Sequence, residues 1–110
     1  MEKFVKGDIL VIPFPFSDLS GSKKRPALVI ADLHGDDIIL CQITSQNSNN
    51  SLGLPLNVTD FISGSLPINS FIRPLRIFTA DKNIIIRKAG TIMPSLMNEV
   101  IDVIIFTLKQ

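Results

Sequence analysis

Short apolar runs, separated by polar, proline or glycine residues, recur along most of the chain. Runs of this length bounded by turn residues are typical of buried β-strands. The pattern predicts strands at 9–12, 26–31, 38–43, 56–58 and 70–78 with a break at Pro74, and a short strand or extended segment at 83–88. The polar stretch 34–37 predicts a hairpin between the second and third strands. Pro13 and Pro15 are expected to end the first strand, because proline cannot donate to a ladder.

Beyond Gly90 the hydrophobic period changes, and Pro94 suits the first turn of a helix. Apolar residues then recur at helical spacing: Leu96, Val100, Val103, Ile104 and Leu108. Further apolar residues widen this stripe beyond the roughly 100° that contact with one surface requires: Met97, Ile101, Ile105 and Phe106. We therefore expect the helix to pack against its own sheet and also against a neighbouring chain.

These elements predict a mainly β, α+β fold: a small, strongly bent antiparallel barrel with a C-terminal α-helix, forming a single domain over residues 1–110. Hydrophobic residues make up 45% of the chain and charged residues 19%, and the mean hydropathy is +0.35. Because a chain this short has little interior, we expect a homodimer interface to bury the excess apolar surface. The phenylalanines at 14, 16, 71, 78 and 106 are mostly core candidates.

A formal net charge of +1 excludes a chain that is basic throughout, so any nucleic-acid site must be a local patch. Cys41 is the only cysteine and His34 the only histidine. Neither an intramolecular disulfide nor a Cys/His zinc site can therefore form, and we expect Cys41 in the core. The charged N-terminus is unlike a signal peptide, and no apolar run approaches the roughly 18 residues of a membrane span. A cytoplasmic protein is expected.

An ordered series of short motifs carries a resemblance to a known family. The motifs are Gly-Asp at 7–8, a polar loop leading to Arg-Pro at 25–26, Thr-Ser at 44–45, Ser-Phe-Ile-Arg at 70–73, the segment 78–82, and Gly90. The series spans nearly the whole chain without a large insertion, and it resembles the MazF/PemK toxins of type II toxin–antitoxin systems.

The resemblance implies an SH3-like barrel that forms a homodimer and cleaves single-stranded RNA at short sequence motifs, with no metal or other cofactor. In this family the 2′-hydroxyl attacks the adjacent phosphate and leaves a 2′,3′-cyclic phosphate and a 5′-hydroxyl. A cognate antitoxin would neutralise the toxin by occupying the RNA groove. The resemblance implies catalytic roles for Arg25 and Thr44, with Ser45 placed to share the latter's role. It also matches Arg73 to an arginine that some members use at the active site.

The residue chemistry suits this reaction. A planar guanidinium matches two oxygens of a phosphate, so Arg25 and Arg73 could together clamp the scissile group. The Thr44 hydroxyl could donate a further hydrogen bond. Positioned donors of this kind are the largest expected contribution to such catalysis.

The segment before the Arg-Pro motif supplies further RNA-binding candidates. Lys23 and Lys24 form a basic run with Arg25 that could attract the RNA backbone. Phe16 could stack a base, and Asp18 is the only acid in the loop and a candidate general base. An arginine is a poor base near neutral pH, since its pKa exceeds about 12.

Two departures from the family pattern leave other functions open. Residues 19–20 are Leu-Ser where several members carry Glu or His, and Leu75 stands where some carry Asp. One alternative is a protein-binding toxin of the same barrel, of the type that poisons DNA gyrase through side chains of the terminal helix. The other is a degenerate member that binds RNA or an antitoxin without cutting.

Overall fold

The structure confirms a mainly antiparallel β fold with one C-terminal helix, and it contains more strands than the apolar pattern predicts. The computed structural model describes residues 3–14, 23–45 and 53–110. Its elements are β1 (Asp8–Phe14), β2 (Lys23–Asp32), β3 (Asp37–Thr44), β4 (Leu54–Leu56), β5 (Phe61–Gly64), β6 (Ser70–Asp81), β7 (Arg87–Ile92) and α1 (Pro94–Leu108). The seven strands form one half-barrel sheet in the order β4-β6-β3-β2-β1-β7-β5.

Both faces of this sheet are buried near its centre. On the helix face, Ile9, Leu28 and Cys41 pack beneath α1. On the opposite face, Leu10 and Ala27 belong to a second cluster that includes the N-terminal Phe4, Val29 and Leu40. Because successive side chains in a strand point to opposite faces, a strand covered on both sides is apolar throughout. This is why the central strands appear in the sequence as continuous apolar runs rather than as alternating patterns.

Three prolines were expected to end or break strands. Pro15 lies outside the described residues, and Pro13 and Pro74 lie within strands instead. Pro13 pairs with Lys24, so β1 continues to Phe14. Its missing N–H costs no bond with β7 because that neighbour pairs with β1 only up to Val11. Pro74 lies in the continuous strand β6, within an irregularity between Arg73, which pairs with Gln42, and the next paired residue, Ile77. The proline therefore lies where the ladder with β3 is already interrupted.

The prediction for the end of the sheet was wrong in position. Residues Lys82–Ile84 form a 3-10 turn, and the strand that follows is Arg87–Ile92, with Gly90 inside it. The sequence reading also missed β5, a four-residue edge strand that pairs with β7 and brings Gly64 opposite Gly90. Its mixed composition carries no alternating apolar signal. The fourth strand is Leu54–Leu56 rather than 56–58.

The Gly-Asp motif at the start of β1 has a structural role. Gly7 has a φ of +100°, a conformation that side chains rarely adopt. Asp8 is 2% exposed, and its carboxylate accepts hydrogen bonds from the Val5 backbone N–H at 2.9 Å and from the Thr91 hydroxyl at 2.8 Å. Asp8 thus fastens the start of β1 to β7, the strand that completes the groove described below.

Helix α1 begins at Pro94, as the sequence predicted, and buries Leu96, Met97, Val100 and Ile104 against the sheet. Phe106 was expected in the core and is instead 69% exposed, and Leu108 is 78% exposed. The end of the helix therefore presents apolar side chains that this chain does not cover. Within the described ranges, no helix has both the length and the apolar character needed to cross a membrane.

Candidate functional site

Arg25 and Thr44 project from the same face of neighbouring strands. The ladder between β2 and β3 ends at the pair Ala27 and Gln42, and Arg25 and Thr44 each lie two residues beyond it. Side chains two positions apart in a strand share a face. Ala27 belongs to the cluster on the face away from α1, so Arg25 and Thr44 also lie on that face. Both side chains are half-buried. This places a guanidinium and a hydroxyl, far apart in sequence, on one face of adjacent strands.

Arg73 projects from that face as well. It pairs with Gln42 across β3 and β6, while Thr44 pairs with Phe71. Arg73 is half-buried, and its Nε atom is buried without a hydrogen-bond partner among the residues that the structure describes. An unsatisfied buried donor costs about 1–3 kcal/mol. The face therefore carries a second guanidinium, whose Nε atom is enclosed by the protein.

Gln42 is a member of this face that the sequence reading missed. It is half-buried and lies in register between Ala27 and Arg73. A glutamine within an apolar strand gives no signal of its own, and its relation to Arg73 depends on the pairing of β3 with β6.

A groove of about 490 Å³ opens beside this face, at the same end of the strands. Of the residues singled out from the sequence, it is lined by Lys23, Lys24, Arg25 and Ser45, and not by Thr44 or Arg73. Its floor consists of helix-face residues that run across three strands, namely Val11, Pro26 and Ile43. Its far side is formed by Leu66, Pro67, Ile68, Ile86 and Arg87. Arg25 is thus the residue that belongs both to the groove and to the face that carries Thr44.

The groove is basic although the chain is almost neutral. Among the described residues, the charged side chains that line it are Lys23, Lys24, Arg25 and Arg87, and none is acidic. Across the described residues, both ion pairs involve Asp32, and the hydrogen bond from Lys82 lowers the pKa of Asp32. None of the four groove cations is therefore neutralised by a described acidic partner. This is the local positive patch that a net charge of +1 requires of a nucleic-acid site.

Several sequence candidates lie elsewhere. Phe16 and Asp18 fall outside the described residues. Leu75 is exposed on β6. His34 is exposed beside Asp32, away from the groove lining.

Cys41 is buried as predicted. Burial raises the pKa of its thiol to about 12, so it is protonated at neutral pH and unsuited to be a nucleophile. The parts of the chain that the structure describes contain no group of three His, Cys, Asp or Glu side chains that could hold a metal ion.

The model of the PemK-like, MazF-like toxins of type II toxin–antitoxin systems matches residues 5–108. The chain belongs to this family. No curated protein matches the sequence. The match of the family model over residues 5–108 confirms the resemblance found in the ordered motifs.

Solved structures of MazF proteins share this fold. MazF from Deinococcus radiodurans superposes with a TM-score of 0.77 at 15% identity, with 100% of each chain covered. An endoribonuclease from a Mycobacterial species, in complex with its cognate antitoxin, gives 0.74 at 16% identity, covering 99% of this chain and 96% of that one. Mycobacterium tuberculosis toxin MazF-mt6 gives 0.72 at 15% identity, covering 93% and 96%. Because the sequence identity is only 15–16%, the superpositions establish the fold of this chain and nothing more.

Proposed function

We propose that this single-domain MazF-family toxin is an endoribonuclease that cleaves single-stranded RNA at short sequence motifs without a metal. The family match over residues 5–108 supports a toxin of a type II system, and structural neighbours are endoribonucleases by name. The observation that carries the proposal is the common face of Arg25 and Thr44 at the edge of a basic groove.

In the proposed reaction, the 2′-hydroxyl oxygen of one nucleotide attacks the adjacent phosphorus. A new P–O2′ bond forms, the P–O5′ bond breaks, and the 5′-oxygen leaves as a hydroxyl after gaining a proton. Negative charge grows on the phosphate oxygens, where Arg25, Arg73 and the Thr44 hydroxyl would donate hydrogen bonds. Arg25 could also protonate the leaving oxygen. The candidate proton acceptor is Asp18, which lies outside the described residues.

The assay is incubation of purified protein with a long RNA in EDTA, followed by mapping of the new ends. We expect fragments whose 5′-hydroxyls accept phosphate from a polynucleotide kinase without prior phosphatase treatment. Intact RNA together with blocked DNA supercoiling would instead indicate a gyrase-type toxin. Neither activity would indicate a binding protein that has lost cleavage.

Thr44 offers a sharper test of the site. Thr44→Val keeps the shape of the side chain and removes the hydroxyl, so we expect the cleavage rate to fall by about 10²-fold. Thr44→Ser should retain most of the rate because it keeps the donor. If Thr44→Val cuts as fast as the wild type, Thr44 is not part of the mechanism.

The family's assembly is proposed for this chain as well. The exposed Ile105, Phe106 and Leu108 at the end of α1 are suited to a homodimer interface. We expect a dimer in sedimentation at micromolar concentration, and a monomer under those conditions would contradict this interface. A cognate antitoxin that occupies the basic groove, and a cytoplasmic location where RNA is available, complete the proposal.

A further inference from the structure

The groove has a second basic side that the sequence motifs do not indicate. Arg87 is the first residue of β7 and pairs with Val11, which in turn pairs with Pro26. Paired residues share a face, so the Arg87 side chain leaves the sheet on the same face as the groove floor. It lies two strands away from β2, at a separation of about 10 Å from the Arg-Pro motif. A cation therefore stands on each side of an apolar floor.

An apolar wall lies beside Arg87 and consists of Leu66, Pro67, Ile68 and Ile86. Ile68 is 62% exposed and Ile86 is 46% exposed, and both line the groove. The wall is held in place: the Ser70 hydroxyl donates to the Ile68 carbonyl at 2.8 Å, and the Ile86 N–H donates to the Val11 carbonyl at 2.9 Å. Exposed apolar side chains on this hydrogen-bonded segment lie next to cations that have no acidic partner within the described ranges. Such a surface matches a ligand that is both anionic and apolar.

A nucleic-acid strand fits this lining better than a peptide does. The charged side chains of the groove are donors only, and the phosphodiester backbone offers acceptors only. Pairing of β1 with β7 stops at Val11 and pairing of β2 with β3 begins at Ala27, so backbone edges are open at this end and a peptide is the competitor in the test below.

We propose that this groove is a subsite for the nucleotide next to the cleavage point. Arg87 binds the phosphate adjoining the scissile one, and the apolar wall packs against the base of that nucleotide. The role of Arg25 at the scissile phosphate rests on the proposed function, whereas binding at Arg87 can be measured without any cleavage.

The test is binding of a labelled single-stranded oligonucleotide of mixed sequence with 2′-fluoro sugars, which lack the attacking hydroxyl. Arg87→Ala should weaken binding by about 5- to 10-fold and reduce the slope of log K against log salt by about 0.7, the value for one phosphate contact in a single strand. Ile68→Ser should weaken binding by about fivefold and leave the slope unchanged, because the lost contact is apolar. With cleavable RNA, Arg87→Ala should lower kcat/KM and preserve kcat.

Lys88→Ala is the matched control. Lys88 is the next residue on β7 and is exposed, and it pairs with Leu10, so it leaves the sheet on the opposite face. It should bind as the wild type does. Equal losses in Arg87→Ala and Lys88→Ala would mean that binding does not depend specifically on the groove, and would overturn the inference.

The remaining outcomes are also decisive. Unchanged oligonucleotide affinity in Arg87→Ala, with lost binding of an acidic leucine-rich peptide, would make the groove a peptide site and overturn the inference. A wild-type protein that binds the strand in an Arg87-dependent manner, yet leaves unmodified RNA intact, would remove the cleavage proposal and support the groove as a nucleotide-binding site with its phosphate contact at Arg87.

Discussion

Arg25→Ala is expected to reduce RNA cleavage by about 10²–10³-fold while the protein remains folded. Arg25 adjoins the two features on which the proposed site depends, the face that carries Thr44 and the basic groove. Loss of its guanidinium would remove the fork that matches two phosphate oxygens as charge grows on them. The measurement is single-turnover cleavage of a defined RNA, with a thermal melt of each variant as the test of folding.

Two further variants separate chemistry from charge. Arg25→Lys keeps the positive charge and loses the planar fork, so its rate should lie between those of the wild type and the alanine variant. Arg76→Ala removes an exposed arginine that does not line the groove, and it should cut as the wild type does. Wild-type rates in Arg25→Ala would exclude Arg25 from the mechanism. A rate in Arg76→Ala as low as in Arg25→Ala would mean that overall charge, and not the site, controls cleavage.

Gly64→Ala is expected to destabilise the protein by about 3–5 kcal/mol, one of the largest effects a single methyl group can have. Gly64 has a φ of +72°, and a Cβ there would overlap the Ala89 carbonyl oxygen and lie 2.6 Å from the Gly90 Cα. Both obstacles are backbone atoms of β7, so they cannot rotate away and β5 would have to separate from β7. A fall in Tm of roughly 15 °C or more follows for a chain of this size.

Gly35→Ala is the control, because a Cβ at Gly35 meets no atom within 4 Å and needs no unusual backbone angle. Its Tm should lie within about 3 °C of the wild-type value. If Gly64→Ala melts like Gly35→Ala, β5 does not pack against β7 as described. The groove would then also be in question, since the Ser65 N–H donates to the Ala89 carbonyl at 3.3 Å and Leu66 begins the apolar wall.

The sequence singled out the residues of the proposed site from motifs, and it placed several strand ends wrongly. Arg25, Thr44 and Arg73 were singled out from motifs in a fixed order, and such motifs survive when the rest of the sequence diverges. The strand ends were less accurate because prolines were taken as breaks. Pro13 and Pro74 are tolerated where a neighbouring ladder is absent or interrupted, and that depends on pairing with distant segments.

By itself, the sequence determined the β-rich class, the start of the helix at Pro94, the buried Cys41 and the family. These follow from local periodicity, residue chemistry and short motifs. Only the tertiary structure decided which side chains share a face. Arg87 reaches the groove because β7 pairs with β1, and Gln42 lies beside Arg73 because β3 pairs with β6. A shift of one residue in either register would turn these side chains to the other face, and no local pattern in the chain fixes a register between segments so far apart.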